Sequence, residues 1–195
     1  MNPYVVIDIG GTSIKYGLAD AEGQLLETHE MPTEAQKGGP HILDTTKEIV
    51  ARYLEKHPLA GVAISSAGMV DPDKGEIFYA GPQIPNYAGT QFKKEIEEAF
   101  QVPCEIENDV NCAGLAEVTT GHAKGSDNAV CLTIGTGIGG CLLLDGQVFH
   151  GFSNSACEVG YLHLPDGAFQ DLASTTALVE YVAECHGDPA DQWNG

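Results

Sequence analysis

The sequence predicts an α/β protein built from two related blocks, the first complete and the second only begun. Three observations carry this reading. Short apolar runs of strand length alternate with amphipathic segments of helical period. A strand, a glycine-rich turn and a second strand open the chain over residues 4–19 and recur over residues 129–144. Apolar residues make up 43% of the 195, yet no run approaches the roughly 18 consecutive apolar residues that mark a membrane helix.

The elements follow in order. Tyr4-Val5-Val6-Ile7-Asp8-Ile9 is an apolar run ending in Gly10-Gly11, and the extended pattern resumes from Ser13 to Ala19, which reads as a β-hairpin. Leu25 and Leu26 after Gly23 supply a third antiparallel strand. Ile42, Ile49, Val50, Tyr53 and Leu54 share one helical face, which Pro58 ends. Val62-Ala63-Ile64 returns to strand. A helix over about residues 90–100 is expected to bury Phe92, Ile96 and Ala99, and a strand at 102–106 follows it. Asn108-Asp109 then caps a helix that runs toward Thr120.

Between Gly121 and Asp127 the composition turns small and polar, so a hinge is placed there, dividing the chain into domains 1–120 and 121–195. The second block opens with Ala129-Val130-Cys131-Leu132-Thr133-Ile134 and the turn Gly135-Thr136-Gly137-Ile138-Gly139-Gly140. A strand from Cys141 to Leu144 leads into Asp145-Gly146, a strong hairpin signal, and Val148-Phe149. Residues 172–185 read as one helix, and residues 186–195 as a polar tail with Trp193 and no closing strand. The second domain is therefore expected to be unfinished and the chain a fragment. A duplicated architecture of this kind implies a cleft between the copies.

Charge narrows the function classes. Nine Lys plus Arg stand against 28 Asp plus Glu, a formal net charge of −19, and the cations are scattered. Nucleic acid is not an expected partner, because binding it takes a basic stripe that displaces phosphate counterions. The six cysteines lie in or beside apolar segments without a C-x-x-C pair, so buried thiols of a reducing compartment are expected rather than disulfides or a zinc cluster. With no basic-then-apolar leader at Met1 and no membrane span, the expected setting is the cytoplasm.

Three places could carry chemistry. In Asp8-Ile9-Gly10-Gly11-Thr12 a strand delivers a carboxylate into a turn whose glycines let backbone N–H groups approach an anion. Asp8 would meet a phosphate through Mg²⁺ or its waters; the alternative is a plain hairpin turn. The second glycine run matches G-x-G-x-x-G at Gly135, Gly137 and Gly140, but a dinucleotide fingerprint opens a helix, whereas this one continues as strand. Nor does Gly-Lys-Ser/Thr follow, so it is no P-loop. Two such hairpins heading matched blocks could grip one polyphosphate. Asp109, leaving a strand at the start of a helix, could accept a hydroxyl proton or merely serve, like Asn108, as an N-cap.

These motifs together resemble a known family. Asp8-Ile9-Gly10-Gly11-Thr12 with Gly17, Asn108-Asp109-x-Asn111, Thr133 through Gly140, and Glu158-Val159-Gly160 are similar to the ROK family of sugar kinases and related repressors, in the actin-like ATPase superfamily. The resemblance spans residues 4 to about 181. It implies an RNase H-like, actin-like ATPase fold and ATP- and Mg²⁺-dependent phosphorylation of a hexose or hexose derivative. By the same resemblance Asp109 is the base; Asp8, Gly10, Gly11, Thr12, Lys15, Thr133, Gly135, Thr136, Gly137 and Gly139 bind nucleotide; and Asp8 faces Mg²⁺. Gly68, Asn86, Asn108, Asp109, Glu158, Tyr161 and Gln170 are implied to line the sugar pocket.

Departures refine the expectation. Many members carry Glu-x-Gly-His and a Cys-rich zinc loop, but here Tyr161 holds the His position and residues 164–169 contain no Cys, so no structural zinc is expected. His163 then reads as a strand histidine. Gln170 stands where many members place a sugar-contacting Glu, aligned through Ala173-Ser174. The family's repressors carry a helix-turn-helix ahead of the first phosphate strand; with that strand starting at Tyr4, no such region is expected here. The rival readings are a sugar-binding module without kinase activity, a repressor and a nicotinamide-dependent dehydrogenase. A homodimer is a further expectation, with Phe149, Phe152 and Leu162 as contact candidates.

Overall fold

Side chains alternate along extended backbone, so Val5, Ile7 and Ile9 turn to one face of the first strand, and that period organises the first half of the molecule. A computed structural model describes residues 2–187 together with Pro189 and Trp193. Most of the expected polar tail, residues 188, 190–192, 194 and 195, lies outside the described residues. The chain forms two compact units, Met1–Asp109 and Val110–Gly195.

The first unit runs β1 (Tyr4–Ile9), β2 (Ser13–Ala19), β3 (Leu25–Pro32), α1 (Gly39–Leu54), β4 (Gly61–Ser66), β5 (Met69–Asp71), β6 (Glu76–Tyr79), α2 (Phe92–Phe100) and β7 (Cys104–Asn108). Its five-stranded sheet has the order β3-β2-β1-β4-β7. The first three strands are antiparallel neighbours, while β4 and β7 join in parallel after their helices. Register places Val5, Val62 and Cys104 in one row and Ile7, Ile64 and Ile106 in the next, all buried. Onto that apolar face α1 brings Ile42, Ile49 and Val50, and α2 brings Phe92 and Ile96. Each such fully buried side chain contributes about 1.5–3 kcal/mol relative to exposure.

Details differ from the sequence reading for local reasons. Ala99 is exposed, because the buried stripe of α2 steps through Phe92, Ile96 and the partly buried Phe100. β7 begins two residues later than expected: Gln101 adopts a left-handed conformation (φ 56°) that ends α2, and pairing with β4 starts at Cys104. Gly17 is required by close approach, since a Cβ there would collide with the Glu27 carbonyl on β3. The β5–β6 hairpin was not foreseen. Its strands have three and four residues and a register shift at Met69/Val70, too short for a period to show.

The second unit takes in α3 (Asp109–Thr119) beyond its first residue, then β8 (Ala129–Ile134), β9 (Ile138–Leu144), β10 (Gln147–Val148), β11 (His163–Leu164), β12 (Gly167–Ala168), α4 (Phe169–Ala173) and α5 (Thr175–His186). β10, β9 and β8 form a three-stranded antiparallel sheet. The units part after Asp109 rather than at the expected 120/121. The physical cause is Gly114, where the site of a missing Cβ lies 2.6 Å from Cys141 Sγ and 3.1 Å from Leu143, holding α3 on β9. The single helix expected over 172–185 is two. Ser174 is buried and extended (φ −73°, ψ 167°), and its hydroxyl oxygen accepts the Ala177 N–H at 3.2 Å, capping α5 afresh.

Candidate functional site

The parallel strands β1, β4 and β7 end at one edge of the first sheet, the edge where α/β sheets present their functional loops. Along this edge the apolar rows give way to polar ones. Asp8 is level with Ser65, which is level with Glu107; one residue further, Ile9, Ser66 and Asn108 line up. The Ser65 hydroxyl donates to Asp8 Oδ1 at 2.7 Å. Asn108 Nδ2 donates to the Gly68 carbonyl and to Asp109 Oδ1, both at 2.9 Å. The structure thus brings Gly68, Asn108 and Asp109 into one hydrogen-bonded chain. Gly68 holds φ at +93°, and a Cβ there would stand 2.9 Å from the Tyr79 carbonyl oxygen, so both conformation and space call for glycine.

Beneath this chain lies a buried pair that sequence reasoning missed. The Ser66 hydroxyl and the Tyr87 phenol are 2.7 Å apart, and the Tyr87 ring meets Phe92 edge-on at 6.1 Å. Burial raises the Tyr87 pKa above the ordinary phenol value; the Ser66 bond pulls the other way, and the Asp109 carboxylate adds to the rise. The loop carrying Tyr87 rests on the start of α1, where Gly39 N–H donates to the Pro85 carbonyl at 2.9 Å. Asn86, in the same loop, is exposed with a left-handed backbone (φ 53°). A lone Tyr after Pro85-Asn86 carries no sequence signal, so only the fold reveals it.

The first glycine turn joins β1 to β2. Gly10 N–H donates to the Ser13 carbonyl at 3.0 Å, and Gly11 and Thr12 are exposed. Lys15 sits across from Asp8 in the β1–β2 register and is exposed.

In the second unit Ile134 pairs with Ile138, so Gly135, Thr136 and Gly137 form a three-residue hairpin turn closed by Gly135 N–H on the Gly137 carbonyl at 2.9 Å. Gly140, the last glycine of the G-x-G-x-x-G match, lies inside β9, which is strand and not the opening of a helix. Thr133 and Gly139 are register partners, and a Cβ at Gly139 would come to 2.5 Å from Val110 Cγ2. Gln170 Oε1 stands 3.0 Å from the Cβ positions of both Gly137 and Gly160, so this side chain attends the glycine turn. Glu158 precedes the short 3₁₀ turn Val159–Tyr161, and Tyr161 is exposed. Burial, with the Glu158 carboxylate next, raises the Cys157 thiol pKa. His163 is a residue of β11. Among the described residues no group of three or more His, Cys, Asp or Glu side chains is placed to hold a metal ion, and no helix is long and apolar enough to cross a membrane. Phe149, Phe152 and Leu162 are exposed.

The geometry can be set beside known proteins. A family model described as the ROK family matches residues 4–184. The chain belongs to the ROK family. This ROK chain is 53% identical over 183 residues to the uncharacterised protein CPE0188 of Clostridium perfringens, a match covering 94% of the chain and 62% of that protein. It is 31% identical to a glucokinase of Halalkalibacterium halodurans, covering 94% of the chain and 57% of the relative. It is 34% identical to a β-glucoside kinase of Listeria monocytogenes, covering 96% and 65%. Among solved structures, a ROK family glucokinase from Streptomyces griseus in complex with glucose and AMPPNP superposes with a TM-score of 0.81 at 31% identity, covering 95% of this chain and 62% of that one. The ROK chain therefore has the α/β, actin-like ATPase fold, and it spans between 57% and 65% of the length of these curated relatives.

Proposed function

We propose that this ROK chain carries the acceptor-activating and phosphate-binding parts of an ATP-dependent sugar kinase acting on a hexose or hexose derivative. The observation that carries the reading is the hydrogen-bonded chain Gly68–Asn108–Asp109 at the carboxyl edge of the first sheet. The Gly68 carbonyl fixes the Asn108 amide, and the amide fixes the Asp109 carboxylate, so the acid is held in one orientation before any sugar arrives. Such positioning is most of what phosphoryl transfer asks of a protein. Asp109 takes the proton of the acceptor hydroxyl, and Asn108, Asn86 and the Gly68 backbone offer donors and acceptors to the other ring hydroxyls. Kinship with glucokinases and a β-glucoside kinase supports a sugar as acceptor.

In this reading the turn at Gly10–Gly11 in the first unit and the turn at Gly135–Gly137 in the second are each a phosphate-binding loop that offers backbone N–H groups. Mg²⁺ fits the first of them. Asp8 accepts the Ser65 hydroxyl on Oδ1, which leaves Oδ2 for the ion, and one carboxylate together with phosphate oxygens and water is the ordinary Mg²⁺ environment. When bound, the ion would offset phosphate charge that this acidic chain, with few cations near its turns, does not. The test is a coupled ADP-release assay of the complete gene product with ATP, Mg²⁺ and a panel of hexoses, N-acetylhexosamines and β-glucosides. Sugar-dependent ADP release supports the reading. Sugar binding without ADP release from any of them would replace it with a binding module.

A further inference from the structure

Each glycine turn is gripped from behind by threonines far away in sequence. In the first unit, Thr33 is 1% exposed; its hydroxyl donates to the Gly10 carbonyl at 2.7 Å and its N–H to the Thr12 carbonyl at 3.0 Å. In the second unit, the Thr175 N–H donates to the Gly135 carbonyl at 2.9 Å and the Thr176 hydroxyl to the Thr136 carbonyl at 3.0 Å. Two unrelated segments, the end of β3 and the start of α5, thus do the same thing to two turns.

We infer that Thr33 and Thr176 are positioning residues that set the direction of the phosphate-facing amides. The inference rests on the reading of both turns as phosphate loops. A trans peptide is planar, so the N–H of a residue points opposite to the carbonyl before it. Tying the Gly10 carbonyl to Thr33 turns the Gly11 N–H the other way, and tying the Gly135 and Thr136 carbonyls to α5 does the same for the N–H groups of Thr136 and Gly137. Gly11, Gly135 and Thr136 are exposed, and the Cβ positions of Gly11 and Gly135 meet nothing within 4 Å, so both turns border open space where a polyanion can approach, with Gln170 Oε1 3.0 Å from the Cβ position of the half-buried Gly137. A turn of glycines without such ties would rotate its peptides freely and lose the fixed nest that an anion needs. Each turn has one tie from a backbone N–H and one from a side-chain hydroxyl, Thr33 on Gly10 and Thr176 on Thr136, and the hydroxyl ties can be removed without touching the backbone.

Calorimetry of the complete gene product with Mg²⁺·AMPPNP, and separately with glucose, tests this. Thr33→Val and Thr176→Val should each weaken nucleotide binding about fivefold, the worth of one hydrogen bond, with the glucose dissociation constant unchanged. Thr33→Ser and Thr176→Ser should restore wild-type binding. Thr176 is exposed, so its valine variant decides the matter if the buried Thr33→Val chain does not fold. Unchanged nucleotide affinity in Thr176→Val, or serine variants as weak as the valines, would overturn the inference. Wild-type protein that binds AMPPNP but phosphorylates no sugar would sink the kinase reading and leave the positioning role standing. Wild-type protein that binds no nucleotide would overturn both.

Discussion

The Ser65 hydroxyl donates to the Asp8 carboxylate at 2.7 Å, across neighbouring parallel strands in which the two residues are register partners. The bond fixes which oxygen of Asp8 is turned outward. Replacing Ser65 with alanine removes that constraint and leaves the acid itself in place. In the complete gene product Ser65→Ala should therefore raise the Mg²⁺ concentration needed for half-maximal phosphoryl transfer by roughly tenfold or more, on the scale of one hydrogen bond to a charged group, without changing sugar affinity. A Mg²⁺ titration of the steady-state rate measures it.

Tyr87 and Ser66 make the corresponding buried contact under Asp109. Tyr87→Phe keeps the ring against Phe92 and deletes only the phenol oxygen. The Ser66 hydroxyl retains its bond to the Ala67 carbonyl at 3.0 Å, so the loss should be modest, about 1 kcal/mol in chemical denaturation. A loss above about 3 kcal/mol would mean that the phenol organises more of the loop than this pair.

Cys104 gives the fold a measurable alkaline limit. Its thiol is fully buried between Val62 and the helix α2, and burial, with Glu97 and Glu105 adding to it, pushes the pKa up to about 12 from the usual 9.0. Below pH 9 the thiol is protonated in folded and unfolded chains alike and its contribution is whole. Between pH 9 and 12 the unfolded chain sheds the proton and the native one keeps it, so stability falls as pH rises. Urea midpoints at pH 8 and pH 10 should show wild type losing on the order of 1 kcal/mol more than Cys104→Ala. The same burial predicts that alkylation at pH 8 labels exposed Cys185 well before Cys104.

Gly17 sets the spacing of β2 and β3. Because a Cβ would overlap the Glu27 carbonyl, Gly17→Ala must push β3 aside and should cost roughly 1–3 kcal/mol, visible as a lowered thermal midpoint.

Much of this architecture was legible because its signals are periodic. β1 and β8 end in glycine turns, α1 shows its stripe from Ile42 to Tyr53, and Asp109 follows an alternating strand, so elements and turns could be read from spacing alone. What escaped was set by contacts distant in sequence. Ser65, Ser66 and Tyr87 matter through register partners and a loop folded onto α1. Thr33 matters through two carbonyls some twenty residues upstream. The break at Ser174 escaped because the apolar spacing continues across it, and the unit boundary because Gly114 binds α3 to β9 where composition alone places the helix with the first block.

Asn108 Nδ2 donates to Asp109 Oδ1 at 2.9 Å, and the proposed role of Asp109 is to take the acceptor proton. Asp109→Asn keeps size and shape but removes the base. In the complete gene product it should bind sugar and nucleotide with affinities near wild type while turnover falls by about 10²–10⁴, the usual share of a general base. Turnover within a few-fold of wild type, with the same sugar affinity, would contradict the account.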